Sequence, residues 1–242
     1  RRKLVELSQI ITHNIEKHVP TEECWQQIES KIAQSNIYGS AKVLSFANIT
    51  NDIIEEIRVN INNPKALLGI TTGFNHLNEL TGGFKPGELI ILAGRPSVGK
   101  TAMAINMAVL CAQNTNYGGP ILFISLEMTP NQIGKRILSM CARVPLSYFT
   151  HGNMTHETFN YLKQSIHNFE NMKFYVYDSF VLNIPKLRSL LRQYKRKHGI
   201  VMAVIDYLQL ITSIDKQSSR EQEVSDISRS LKLLAQELNI PI

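Results

Sequence analysis

The sequence predicts an α/β fold: a mainly parallel sheet covered by helices on both faces, preceded by a small all-helical segment. Three observations point to it. Short, almost wholly apolar runs recur at Leu89–Ala93, Ile121–Ser125, Phe174–Tyr177 and Val201–Ile205, as strands buried on both faces require. Stretches with helical spacing separate them, near 101–115, 130–143, 155–169 and 185–198, and that alternation is typical of parallel strands joined by helical crossovers. Residues 1–62, by contrast, carry no strand signal.

Taken in order, the chain opens with helices. Leu4, Leu7 and Ile11 recur at helical spacing until Pro20-Thr21 interrupts them, and a second helix from about Glu22 places Trp25, Ile28 and Ile32 on one face. Tyr38-Gly39-Ser40 reads as a linker. A third helix runs from about Phe46 to Asn60, with Ile49, Ile53, Ile57 and Ile61 spaced four apart, and Asn62-Asn63-Pro64 stops it. So narrow a stripe suits a helix docking in a groove better than one buried in a core. The expected boundaries are 1–38 for the first helical part, 39–68 for a linker with the docking helix, and 69–242 for the α/β part. The last helix, 221–238, carries Val224, Ile227, Leu231, Leu234 and Leu238 on one face, and Ser219 with Gln222 can close a capping box at its start.

Composition sets wide limits. With 242 residues, 43% apolar and 19% charged, the chain can bury a full α/β core. A net charge of +6 suits an anionic partner without naming one. Cys24, Cys111 and Cys141 lie far apart with no C-x-x-C pair. Buried thiols at 111 and 141 and a reducing, cytoplasmic setting are therefore expected. No run of about 18 apolar residues occurs and Arg1-Arg2-Lys3 precedes no apolar signal core, so no membrane segment is expected. The histidines show no zinc spacing such as H-E-x-x-H. The chain begins with Arg1 rather than Met, which suggests a longer parent.

Chemistry enters at Gly94-Arg95-Pro96-Ser97-Val98-Gly99-Lys100-Thr101, an unbroken G-x-x-x-x-G-K-[ST] string directly behind the run Leu89–Ala93 and ahead of a helix. Glycines let the backbone wrap tightly, so that successive N–H groups can face phosphate oxygens. The helix N-terminus adds partial positive charge. Lys100 would reach the β- and γ-phosphates of a nucleoside triphosphate, and the Thr101 hydroxyl would hold Mg²⁺.

Two acids follow at strand ends. Asp206 comes straight after Val201-Met202-Ala203-Val204-Ile205; a carboxylate there is costly unless a cation or donors compensate it. Orienting Mg²⁺ is one role for it, capping a turn the other. Glu127 ends Ile121–Leu126 in the same way. In a parallel sheet all strand C-termini point to one edge, so Glu127 can serve as the base that orients the attacking water. A solvated glutamate opening the next helix before Pro130 is the alternative.

With these residues in place, the stretch 69–242 resembles the motor domain of DnaB-type hexameric replicative DNA helicases. The matching strings are TTGFNHLNELTGGFKPGELIILAGRPSVGKTAMAINMA, ISLEM, VIDYLQL and SSREQEVSDISRSLKLLAQELNIPI, in that order. The resemblance implies a RecA-like P-loop NTPase core, preceded by the end of a helical N-terminal domain and a linker helix that packs on the neighbouring subunit. It implies Glu127 as catalytic base, Asp206 as metal-orienting acid and Gln209 as a coupler between nucleotide and DNA. The segment from Thr212 to Gln222 falls where such motors place DNA-contacting loops, with Lys216 and Arg220 as phosphate contacts or, alternatively, solvated charges. A homo-hexamer on single-stranded or forked DNA is implied, moving 5′→3′ with ATP and Mg²⁺, and with primase and a helicase loader as partners.

Two further readings stay open: a RecA-type recombination or repair ATPase, and a truncated module that assembles without acting as a motor. The chain stops at Ile240-Pro241-Ile242, where the family's next core strand is expected. The family's γ-phosphate sensor and arginine finger would lie beyond it. A finger is worth about 10³–10⁵ in rate, so slow hydrolysis by this segment alone is expected. On the helix near 185–198, Lys186, Arg188, Arg192, Lys195, Arg196 and Lys197 crowd together, and no acidic residue occurs between Ser179 and Ile205. A solvated outer face is preferred there over a nucleic-acid contact.

Overall fold

The computed structural model describes residues 8–9, 11–14, 16–17, 45–62, 67–152, 154–167, 169–179, 182–212 and 219–242. The expected helix from Glu22, the face carrying Leu4 and Leu7, the linker at Tyr38-Gly39-Ser40, and Cys24 and Lys216 lie outside the described residues. The chain divides into two compact units, 1–64 and 65–242.

In the first unit, residues 8–9 and 11–14 are helical, and helix α1 spans Phe46–Asn62. Ile49, Ile53, Ile57 and Ile61 are all exposed along it, with Phe46 and Ile54. The apolar stripe of the sequence is thus a solvent-facing stripe.

The second unit contains α2 (Asn75–Thr81), α3 (Lys100–Gln113), β1 (Ile121–Ser125), α4 (Pro130–Ala142), α5 (Leu146–His151) and α6 (His156–Ile166). After these come β2 (Phe174–Asp178), β3 (Leu182–Asn183), α7 (Ile184–His198), β4 (Met202–Asp206), β5 (Ile211–Thr212) and α8 (Arg220–Leu238). Three strands form a parallel sheet in the order β2-β1-β4. Because successive strand residues face opposite sides, β1 feeds two cores. Leu122 and Ile124 pack with Leu187, Leu191, Ile227 and Leu231 of α7 and α8. Ile121 and Phe123 pack with Ile105, Val109, Ile133 and Ile137 of α3 and α4. This double covering explains why β1 reads as a continuous apolar run rather than an alternating one. At α8, the Ser219–Gln222 capping box forms as the sequence predicts.

One expected strand differs. Leu89–Ala93 runs beside the C-terminal residues, but among the described residues only its Ile90 N–H and the adjoining Glu88 carbonyl make sheet-like bonds to them. The Ile90 N–H donates to the Ile242 carbonyl at 2.8 Å and the Ile242 N–H to the Glu88 carbonyl at 3.0 Å, while the Ala203 N–H donates to Pro241 at 3.2 Å. Residues 240–242 therefore lie between β4 and the 88–90 segment. Leu89 packs toward one core and Ile90 toward the other, as in a strand, but Ile91 and Leu92 are 60% and 45% exposed. An apolar run predicts burial, yet a regular strand also needs a partner along its whole length.

Some elements have too little sequence to show a period. These are α2, α5, the turn of 3₁₀ helix at Leu208–Leu210, and the two-residue parallel pair β3–β5. Helix α2 is entered through a buried polar knot: the Asn78 side chain accepts from the Thr72 N–H and hydroxyl, both at 2.8 Å, and donates to Thr71 Oγ1 at 3.0 Å. Cys111 is fully buried, which pushes its thiol up to about 12 and keeps it protonated and unreactive. Cys141 is half-buried. Among the described residues no helix is long and apolar enough to cross a membrane.

Candidate functional site

The loop 94–99 joins the Leu89–Ala93 segment to α3. Gly99 precedes the helix with φ of 99°, and no side chain caps α3, so the first-turn amides lack the capping partner that such a helix start normally has. Position 94 has its own reason for glycine: a Cβ there would sit 2.9 Å from Val98 Cγ2. Ser97 also takes a positive φ, 65°, a strained geometry that functional loops concentrate. Gly94, Arg95, Pro96, Ser97, Val98 and Gly99 are exposed, while Lys100 and Thr101 are half-buried at the start of the helix. The Lys100 ammonium donates to the carbonyls of Gly94 at 2.8 Å and Arg95 at 3.2 Å. It is thus drawn across its own loop by neutral acceptors, contacts that a phosphate would exchange for stronger charge-assisted ones.

The acids are brought together by strand register. Ser125 of β1 pairs with Asp206 of β4, and the Leu126 N–H donates to the Asp206 carbonyl at 2.8 Å. Glu127, two residues past that pair, is exposed, whereas Asp206 is only 7% exposed. Asp206 Oδ2 is buried with no hydrogen-bond partner among the described residues. A buried carboxylate oxygen left unpaired is costly, and an Mg²⁺ ion with its waters is the compensation that fits it. Among the described residues no group of three or more His, Cys, Asp or Glu side chains is placed to hold a metal ion by itself. One acid with a hydroxyl and phosphate oxygens is the sparse protein ligation that Mg²⁺ accepts.

Gln209 is exposed on the turn after Asp206. Its carbonyl accepts a hydrogen bond from the Arg220 guanidinium, which also pairs with Glu223. Arg220 thus ties the segment after Asp206 to the first turn of α8, a contact invisible in the sequence because it joins residues on separate elements. On α7, Arg192 pairs with Glu237 of α8 and Lys195 donates to the Ile200 carbonyl at 3.1 Å. These two cations serve packing, and the basic run is not one continuous free face.

Residues 69–242 match the family model described as the DnaB-like helicase C terminal domain. Similar chains include the Replicative DNA helicase DnaB of Leifsonia xyli subsp. xyli, 36% identical over 87% of this chain and 47% of that protein. The one from Rickettsia conorii is 34% identical over 100% of this chain and 52% of that protein, and the one from Geobacillus stearothermophilus 38% identical over 82% and 44%. The chain thus spans about half the length of the relatives it matches. Among solved structures, one described as an ATPase domain superposes with a TM-score of 0.75 at 28% identity, covering 83% of this chain and 70% of that one. A DnaB-like replicative helicase, described with its interactions with primase, gives 0.71 at 26% identity, over 99% and 56%. The α/β unit has the RecA-like ATPase fold expected from its sequence.

Proposed function

Since the chain belongs to the family of DnaB-like helicase C-terminal domains, we propose that it is the motor segment of a replicative DNA helicase that uses ATP hydrolysis to unwind duplex DNA. The observation that carries this reading is the β1–β4 register, which brings Asp206 and the turn bearing Glu127 to one sheet edge, joined to a phosphate-binding loop of unbroken sequence. Residues Gly94 to Thr101 bind the triphosphate, with Lys100 on its outer phosphates. Thr101 and Asp206 hold Mg²⁺, which when bound neutralises charge on the phosphate oxygens. Glu127 orients the attacking water and accepts its proton. Gln209 passes the nucleotide state to the DNA-facing loops.

The remaining roles follow from the family. Residues 1–38 are the end of a helical N-terminal domain and 39–68 a linker whose helix docks on a neighbouring subunit. Six copies form a ring around single-stranded DNA in the cytoplasm and travel 5′→3′, with primase and a loader as partners. Lys216 and Arg220 are the candidate DNA contacts, although Arg220 already holds the Gln209 carbonyl.

A forked-duplex unwinding assay on the full-length protein tests this. Strand separation is expected with ATP, Mg²⁺ and a 5′ single-stranded tail, and not with a 3′ tail alone. Homologous pairing without unwinding would point to a recombination ATPase instead. Affinity for single-stranded DNA should fall steeply with salt, by a slope of about −0.7 in log K against log salt for each phosphate contacted. A flat profile in a salt titration argues against backbone tracking.

A further inference from the structure

Glu127 sits on a turn that leaves it little freedom. Leu126, on one side of it, packs into the core with α7 and α8, and Met128, on the other side, packs against the core with α3 and α4. With its neighbours drawn to opposite faces of the sheet, Glu127 is the residue left exposed at the edge. Below the turn lies Ser125, 1% exposed at the end of the central strand. Its hydroxyl donates to the Met128 carbonyl at 2.6 Å and accepts the Met128 N–H at 3.0 Å. Both bonds close the chain around Leu126 and Glu127. The start of the turn is fixed separately, by the Leu126 N–H on the Asp206 carbonyl, and its end runs into α4, capped by Thr129.

We propose that Ser125 is a positioning residue for Glu127: by clasping Met128, its hydroxyl holds the turn that carries the carboxylate beside Asp206. The inference rests on the reading of Glu127 as the base. A side chain that both donates to and accepts from one residue's backbone resists rotation of the turn more than either bond alone. An apolar residue at 125 would leave the Met128 N–H without this acceptor and the turn held only at its ends. Misplacement of a reacting group by about 1 Å can cost 10²-fold, so a loosened turn should lower turnover while leaving the phosphate loop untouched.

A mutant cycle in DNA-stimulated ATPase assays of the full-length protein tests it. Ser125→Ala should lower kcat by about 10-fold or more with ATP affinity unchanged, yet have almost no further effect when Glu127→Gln is already present. Ser125→Thr and Ser125→Val control for volume in the buried site, since they differ only in hydroxyl against methyl. The Thr variant should keep most of the turnover and the Val variant should lose it. Equal losses from Ser125→Ala with and without Glu127→Gln, or equal behaviour of Thr and Val, would overturn the role of Ser125 while leaving Glu127 as base. Full turnover in Glu127→Gln alone would remove the base reading, and Ser125's role with it.

Discussion

Lys100→Ala is expected to abolish ATP turnover while leaving the α/β core folded. Lys100 occupies the first helical position of α3, half-buried, and among the described residues its ammonium bonds only to the Gly94 and Arg95 carbonyls. Those are neutral acceptors on an exposed loop, so losing them costs little stability, and alanine is the best helix former. Surface changes of this kind stay within about 0.5 kcal/mol. Catalysis should respond very differently. A cation held over the phosphates acts where negative charge develops, and removing one such preorganised group typically costs about 10²–10³ in kcat. Loss of phosphate affinity adds to that. Steady-state ATPase of the full-length protein, read beside its thermal midpoint, separates the two effects. Retained turnover contradicts the phosphate-loop assignment, and nucleotide affinity that ignores the substitution favours an assembly module without motor activity.

Glu127→Gln is expected to spare ATP binding and slow hydrolysis by about 10²-fold or more, the range for loss of a general base. The amide matches the carboxylate in shape but cannot take a proton from water. Glu127 is exposed and makes no ion pair among the described residues, so the core does not depend on its charge. Asp206 differs in this respect: its Oδ2, buried and without a partner among the described residues, suits the metal-holding role proposed for it, and its loss should therefore weaken binding. Single-turnover hydrolysis with a separate measurement of nucleotide affinity checks the prediction. A parallel fall in affinity and rate would move Glu127 from the water to the nucleotide itself.

Local order in this protein was legible from its residues. The phosphate loop is a contiguous string, the longer helices of the α/β unit (α3, α4, α6, α7 and α8) follow from apolar spacing, and the Ser219–Gln222 cap is decided by residues three apart. Each depends on neighbours in the chain, where periodicity and turn chemistry act directly. Folding alone decided which distant groups meet. Strand order set Ser125 beside Asp206, opposed side chains of Leu126 and Met128 left Glu127 outward, and Arg220 reached back to the Gln209 carbonyl. Leu89–Ala93 gives the same lesson in reverse, since its apolar character promised a strand and its hydrogen-bond partners supplied only part of one. A residue's preference for burial is its own, but a ladder, a clasp or a paired charge belongs to two segments, and only the packed chain brings both to the same place.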